Sequence, residues 1–340
     1  MSPKMLGQVK KRSNLRDVAS RSGVSVATVS RVLNAPDKVA AETRDRVQKA
    51  IADLKFVPSA AARAMNRGNS GMVAALLPTL DNAIYARVVD GLEARFRADQ
   101  LSLIVAQTGE DPEIESERAR QMIDIGAEAL IVVGIAHSQS LYDLIERSQR
   151  PIVAVSYYDA TSDIPTIGYD NWKAASVAAE HLAALGHRQV AVLHGPVAQN
   201  DRMRRRRQAL EQQDFGIDFT FCEVELTMEG GQHGVDRVRE TRPNATAVLC
   251  FSDVIAHGAL HRLNSLGLSV PEDVSIMGME DLPASSFTFP ALTSVKLSVE
   301  QMGVLSAEAI ISWLRTEQRP PSVDLSVELA PRGSTSHPRL

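Results

Sequence analysis

No stretch of this 340-residue chain approaches the roughly eighteen consecutive apolar residues that a membrane-spanning helix needs. Its start, MSPKMLGQVKKR, lacks the apolar stretch of a secretion signal, so a cytoplasmic location is expected and a membrane partner is not. Cysteine is scarce: Cys222 and Cys250 stand outside any CxxC-type spacing, which argues against a metal site and leaves two reduced, buried thiols as the expectation. The motifs of catalysis are missing as well. There is no Walker loop, no GxSxG turn and no HExxH, and GGQHG (residues 230–234) reads as a glycine-rich loop. The eight histidines are scattered, with His187 expected in a structural role. Neither an enzyme nor a cofactor is expected.

What is present is ordinary globular composition, 44% hydrophobic with 20 Gly and 16 Pro, in a chain long enough for two or three domains and a large core. Charge is unevenly spread. Residues 1–68 hold 14 Lys and Arg against five Asp and Glu, a net of +9, while the remainder carries −13. A basic head on an acidic body suits a protein in which one part must attract a polyanion and the other must not.

The head contains NLRDVASRSGVSVATVSRVLN (residues 14–34). Asn14 can cap a helix with Leu15, Val18, Ala19 and Ser22 on one face, and Gly23 can end it in the left-handed conformation. Ser25 can cap a second helix whose Val29, Val32 and Leu33 point inward. A third, from about Ala41 to Leu54, adds Val47, Ala50, Ile51 and Leu54 to the core. At about 100° per residue, Ala27, Arg31 and Asn34 lie on the outer face of the second helix, flanked by Thr28 and Ser30. Small side chains let a helix approach base edges in the major groove, a long Arg reaches guanine O6 and N7, and hydroxyls can donate to phosphates. Ser25, Val26, Ala27, Thr28, Ser30, Arg31 and Asn34 are therefore the candidate DNA-contacting set of a helix-turn-helix.

LRDVASRSGVSVATVSRVLN, followed by VAAETRDRVQKAIADLKFVPSAAARAM, resembles the DNA-binding head and hinge of the lactose/galactose repressor (LacI/GalR) family of transcription regulators. The resemblance implies a double-stranded, inverted-repeat operator bound by a homodimer, and a hinge helix that orders on DNA and wedges an apolar residue into the minor groove. That wedge falls on Met65, where the family commonly has Leu, with Arg63 beside it. Five segments are expected: a basic tail (1–13), the helix-turn-helix domain (14–57), the hinge (58–70), an effector-binding and dimerisation domain (71–330) and a C-terminal tail (331–340). The tail RGSTSHPRL has no heptad pattern, which argues against a tetramerising coiled coil.

In the body, apolar runs alternate with helical patterns: MVAALLP, LSLIVAQ, EALIVVG and PIVAVSY, then QVAVLHG, TFCEVEL, AVLCFSD and DVSIMGME. The alternation predicts two doubly wound parallel-sheet subdomains, with ligand expected in a cleft beyond the carboxyl ends of the strands. TIGYDNWKAASVAAEHLAALGHRQVAVLHG, VLCFSDVIAHGALHRLNSLGLSVPEDVSIMGMEDL and PALTSVKLSVEQMG continue the resemblance, which implies an α/β body like that of periplasmic sugar-binding proteins. It also implies candidate effector residues: Asp81 and Tyr85 after the first strand, Ser156 and Tyr157 after the fourth, Arg205 ten residues past Gly195, Ser252 at a common Asn position and Glu280 at a common Asp position. From their own chemistry, Arg202 and Arg205, one turn apart, could grip a carboxylate or phosphate together, and Trp172 could face a sugar ring or fill core. The expected effector is a sugar or sugar acid, with a nucleoside or purine as the alternative. A solute-binding protein and an α/β enzyme are the rival classes; the basic head speaks against the first and the missing catalytic motifs against the second.

Overall fold

The computed structural model describes residues 13–56 and 69–339, and the chain forms two compact units, residues 1–71 and 72–340. In the first unit, the Asn14 side chain accepts from the N–H groups of Arg16 and Asp17, and the Asp17 carboxylate accepts from the Asn14 N–H. This reciprocal cap starts α1 (Leu15–Ser22), and Gly23, at φ +67°, ends it. Ser25 Oγ accepts from Thr28 N–H at the start of α2 (Val26–Asn34), and α3 (Ala41–Asp53) follows a short 3₁₀ turn at Pro36–Lys38. Val18, Ala19, Val29, Val32, Val47, Ala50 and Phe56 form the small core, and Arg21 pairs with Asp53 at 3.1 Å to tie α1 to α3.

The second unit holds two six-stranded sheets. The first has the order β11-β5-β4-β3-β1-β2 and comprises β1 (Met72–Leu77), β2 (Ser102–Gln107), β3 (Ala129–Val133), β4 (Ile152–Val155), β5 (Thr166–Tyr169) and β11 (Val323–Leu325), all parallel. The second has the order β12-β10-β9-β8-β6-β7 and comprises β6 (Gln189–His194), β7 (Asp218–Glu223), β8 (Ala247–Cys250), β9 (Ser275–Glu280), β10 (Thr293–Leu297) and β12 (Val327–Ala330). Only β12 runs antiparallel there. Because crossover helices cover both faces of each sheet, strands such as β1, β3 and β8 are buried along nearly their whole length.

On the first sheet, α4 (Ala83–Ala98) and α11 (Val299–Thr316) share one face, and α5 (Pro112–Asp124) and α6 (Gln139–Ser148) the other. On the second, α7 (Asn171–Ala184) and α8 (Asp201–Gln212) lie opposite α9 (Met228–Thr241) and α10 (Asp253–Ser265).

The two halves are not contiguous in sequence, as the alternating pattern alone suggested. After β10 the chain returns to the first half as α11 and β11, then ends in the second half as β12, so it crosses at Asp170, Ser298 and Ser326. Ser298 Oγ and Ser326 Oγ lie 3.2 Å apart, tying two crossings together.

Two expectations need correction. GGQHG is not a loop but lies inside α9, where the missing side chains allow close helix packing: a Cβ on Gly231 would sit 2.1 Å from the Ile255 carbonyl oxygen of α10. Residues 331–339 are not a free tail. Ser334 is fully buried, donating to Ile276 O and accepting from Thr293 N–H, so the last residues lie along β9 and β10. Most of the basic tail (residues 1–12), Val57, most of the hinge (residues 58–68, with Arg63 and Met65), the Asn34 side chain and Leu340 lie outside the described residues.

Candidate functional site

Two sites emerge. The first is the outer face of α2, where Ser25, Val26, Ala27 and Arg31 are exposed while Thr28 and Ser30 are half-buried. Val29 and Val32 anchor the opposite face, so the presented surface is small, polar and singly cationic. Thr28 Oγ1 sits 2.9 Å from Ser25 Oγ, beside the cap of α2.

The second site is the cleft of the body. Open sheets leave room for ligands where their strands end, and both sheets end here. Four non-glycine residues at or just past strand ends have backbones in the left-handed region: Glu110 after β2 at φ +62°, Ser156 after β4 at +66°, Glu280 at the end of β9 at +116° and Asp281 next to it at +52°. Such strain persists only where the surroundings enforce it, and it concentrates at binding and catalytic sites.

Arg202, in the first turn of α8, is the central charge and is 6% exposed. Its Nη2 donates to Glu110 Oε1 and Oε2 at 2.9 and 3.0 Å, and its Nη1 donates to Asp201 Oδ1 at 2.9 Å. The Asp201 carboxylate accepts from the backbone N–H groups of Ile135 and, at 2.9 Å, Ala136, just past β3. Asn200 Nδ2 donates to Glu110 at 2.9 Å. Because Glu110, Ile135 and Ala136 belong to the first half and residues 200–202 to the second, these bonds close the cleft. Gly134, at φ +80°, makes the approach possible, since a Cβ there would meet Arg202 Nη1 at 2.5 Å.

Around this bridge lie further polar groups. Burial raises the Tyr85 pKa, while Arg202 pulls it down and Glu110 and Glu280 push it up, so this hydroxyl is within electrostatic reach of all three. Glu280 is 3% exposed and accepts from Ser252 Oγ at 3.0 Å. Burial and the nearby Asp253 push its pKa from 4.5 to about 8, with Arg206 opposing, so near neutrality it is largely a carboxylic acid that can donate as well as accept. Ser156 Oγ is buried beside the Tyr169 hydroxyl. A recess of about 630 Å³ opens beside Glu110, lined also by Asp111, Gln199, Asn200, Glu225 and Leu226. Buried hydroxyls, a protonated acid and a paired guanidinium suit a small, polar, many-hydroxyl ligand.

Of the nine candidate effector residues, Tyr85, Ser156, Arg202, Ser252 and Glu280 stand at or beside this cluster. Asp81 is exposed, and its neighbour Asn82 is buried, capping α4. Arg202 and Arg205 have different partners here. The Arg205 guanidinium stacks 4.5 Å above the Trp172 ring, beside Tyr157, so it covers one face that Trp172 was expected to offer a sugar.

Sequence reasoning missed Glu110, Asn200, Asp201 and Arg206. Arg206 is fully buried, donating to Asn171 Oδ1 at 2.9 Å and Phe251 O at 2.6 Å, and Asn171 in turn donates to Ser156 O at 3.0 Å. The arginine run hid which members turn inward. Glu110 left no local signal, because its partner lies 92 residues away. Asp253, beside Ser252, is structural: it accepts from Leu282 N–H, Ser285 Oγ and Ser294 Oγ. Among the described residues no helix is long and apolar enough to cross a membrane.

Comparison with known proteins places both sites in context. Residues 14–59 match the family described as bacterial regulatory proteins, lacI family, and residues 179–335 match a periplasmic binding protein-like domain. The HTH-type transcriptional regulator GntR of Escherichia coli (strain K12) is 30% identical over 329 residues, covering 96% of this chain and 99% of its own. The lac repressor dimer bound to operator and the anti-inducer ONPF shares the fold at a TM-score of 0.82 and 24% identity, over 96% of this chain and all of that one. The transcriptional regulator CelR, in its cellobiose complex, gives a TM-score of 0.66 at 25% identity, over 95% of this chain and all of that one.

Proposed function

Because the chain belongs to the lacI family of bacterial regulatory proteins, DNA-binding transcriptional regulators rather than enzymes, we propose that it is a repressor that binds an inverted-repeat operator as a homodimer and answers to a small effector, a sugar or sugar acid. The observation that carries the effector half is the cleft: Glu110, Ile135 and Ala136 of one half bond residues 200–202 of the other, with Tyr85 and Glu280 within electrostatic reach of one another, so a ligand seated there favours one relative arrangement of the halves. A ligand alters DNA affinity only through such a difference. The CelR relative, solved with cellobiose, supports the choice of a sugar-like ligand.

The DNA half rests on the small outward face of α2 with Arg31 and on the positive head. The homodimer is supported by the dimeric lac repressor of the same fold and by apolar side chains left open on the second half, Phe287 at 87%, Phe289 at 92% and Met228 at 50% exposure. Selection from a random duplex pool, followed by operator titration with and without neutral sugars and sugar acids, tests the reading. An inverted repeat whose affinity shifts with one of these ligands is expected; selection of no sequence, or indifference to every ligand, would contradict it.

A further inference from the structure

Arg202 is given two carboxylates where charge balance needs one. Asp201 is built in: it is the preceding residue, 5% exposed, and is held by Ile135 and Ala136 N–H. Glu110 is held differently. Its side chain is 28% exposed at the mouth of the recess, and its carboxylate bonds are to Arg202 and Asn200 alone among the contacts described. It can turn to water without unmaking the fold.

We propose that the Glu110 carboxylate occupies the seat of an effector carboxylate on Arg202 and Asn200, so that the effector is a polyhydroxylated monocarboxylate and Glu110 sets which ligands enter. This rests on the reading of the cleft as the effector site. Exchanging one carboxylate for another keeps the bidentate guanidinium bonds, the Asn200 bond and the local charge. A neutral sugar leaves Glu110 in place and forgoes that seat. A phosphate dianion adds a charge beside Asp201, which is repelled in a buried setting. The hydroxyls of the bound acid then meet Tyr85, Ser252 and the protonated Glu280, and the ligand replaces Glu110 as the link between the halves.

Calorimetry of the full chain, wild type and Glu110→Gln, with D-gluconate, D-glucuronate, D-glucose and D-glucose 6-phosphate tests this. At least one of the two sugar acids should bind the wild type and bind Glu110→Gln tenfold or more tightly, with glucose unchanged and the phosphate weaker than the acid. Glu110→Ala should behave as Glu110→Gln, which separates loss of the competing charge from any new bond made by Gln. Equal or weaker binding of both acids by the variants, a preference for glucose or the phosphate, or no binding of either acid would each overturn the proposal. Operator titrations on the same samples tell the two levels apart. A neutral sugar that shifts operator affinity equally in wild type and Glu110→Gln keeps effector control and removes this proposal, whereas operator binding that answers to no ligand removes both.

Discussion

At the scale of single residues, the cleft is decided by which charges have partners. Glu280 shows how far burial changes a side chain: a group that ionises near 4.5 in water holds its proton to about 8 in the fold. Below pH 4.5 both folded and unfolded chains are protonated and the group contributes nothing to pH dependence. Between 4.5 and about 8 the folded chain keeps a proton that the unfolded one has lost, so stability falls as pH rises, by up to about 1.4 kcal/mol per unit from this group. Glu280→Gln removes that slope. Urea unfolding of both proteins from pH 5 to 8 should show the variant gaining on the wild type as pH rises; parallel curves would mean Glu280 ionises normally. Tyr85, Ser252 and Glu280 were named through the family resemblance, which could be carried over because they sit near strand ends that an apolar run makes legible. Glu110 and Asp201 could not, since their roles depend on two loops meeting across a cleft.

Elements were more legible than contacts, because caps and periodicity are local. Asn14, Gly23 and Ser25 bound their helices as their chemistry requires, and α3 spans Ala41–Asp53, close to the Ala41–Leu54 range its pattern predicts. The late strands β10 to β12 and helix α11 escaped the alternating βαβ reading because they weave between halves. For α2 the outward Arg31 gives a direct prediction. Arg31→Ala should weaken binding to the selected operator by about 1–3 kcal/mol and relax preference at one base pair per half-site; equal loss on random DNA would assign it to phosphate alone. The close crossing of α9 and α10 gives another. A Cβ at Gly258 of α10 would lie 1.9 Å from the Met228 carbonyl oxygen of α9, so the helices must separate. The ~1 kcal/mol that Ala offers a helix interior is smaller than the overpacking cost, and Gly258→Ala should destabilise the body by about 2 kcal/mol. An unchanged urea midpoint would show that this crossing yields without cost.

For the whole molecule, composition foretold the division of labour. The net +9 of residues 1–68 and −13 of the rest assign attraction for DNA to the head, and counterion release then makes operator affinity fall steeply with salt. A flat log–log dependence between 50 and 200 mM salt, the range over which such release is roughly 10³ or more in affinity, would contradict this. The bipartite plan was readable from charge and from the change of hydrophobic period; the closed cleft, with Arg202 bound from both halves, was not. The central claim joins the two, a DNA grip set by a ligand held at Arg202. Its most direct test is fluorescence anisotropy of the selected operator, titrated with the full chain in the presence and absence of sugars and sugar acids, for wild type and Arg202→Ala. One ligand should shift the wild-type operator Kd roughly tenfold or more, and Arg202→Ala should lose this shift. An equal shift in Arg202→Ala, or none in the wild type with any ligand, would contradict it.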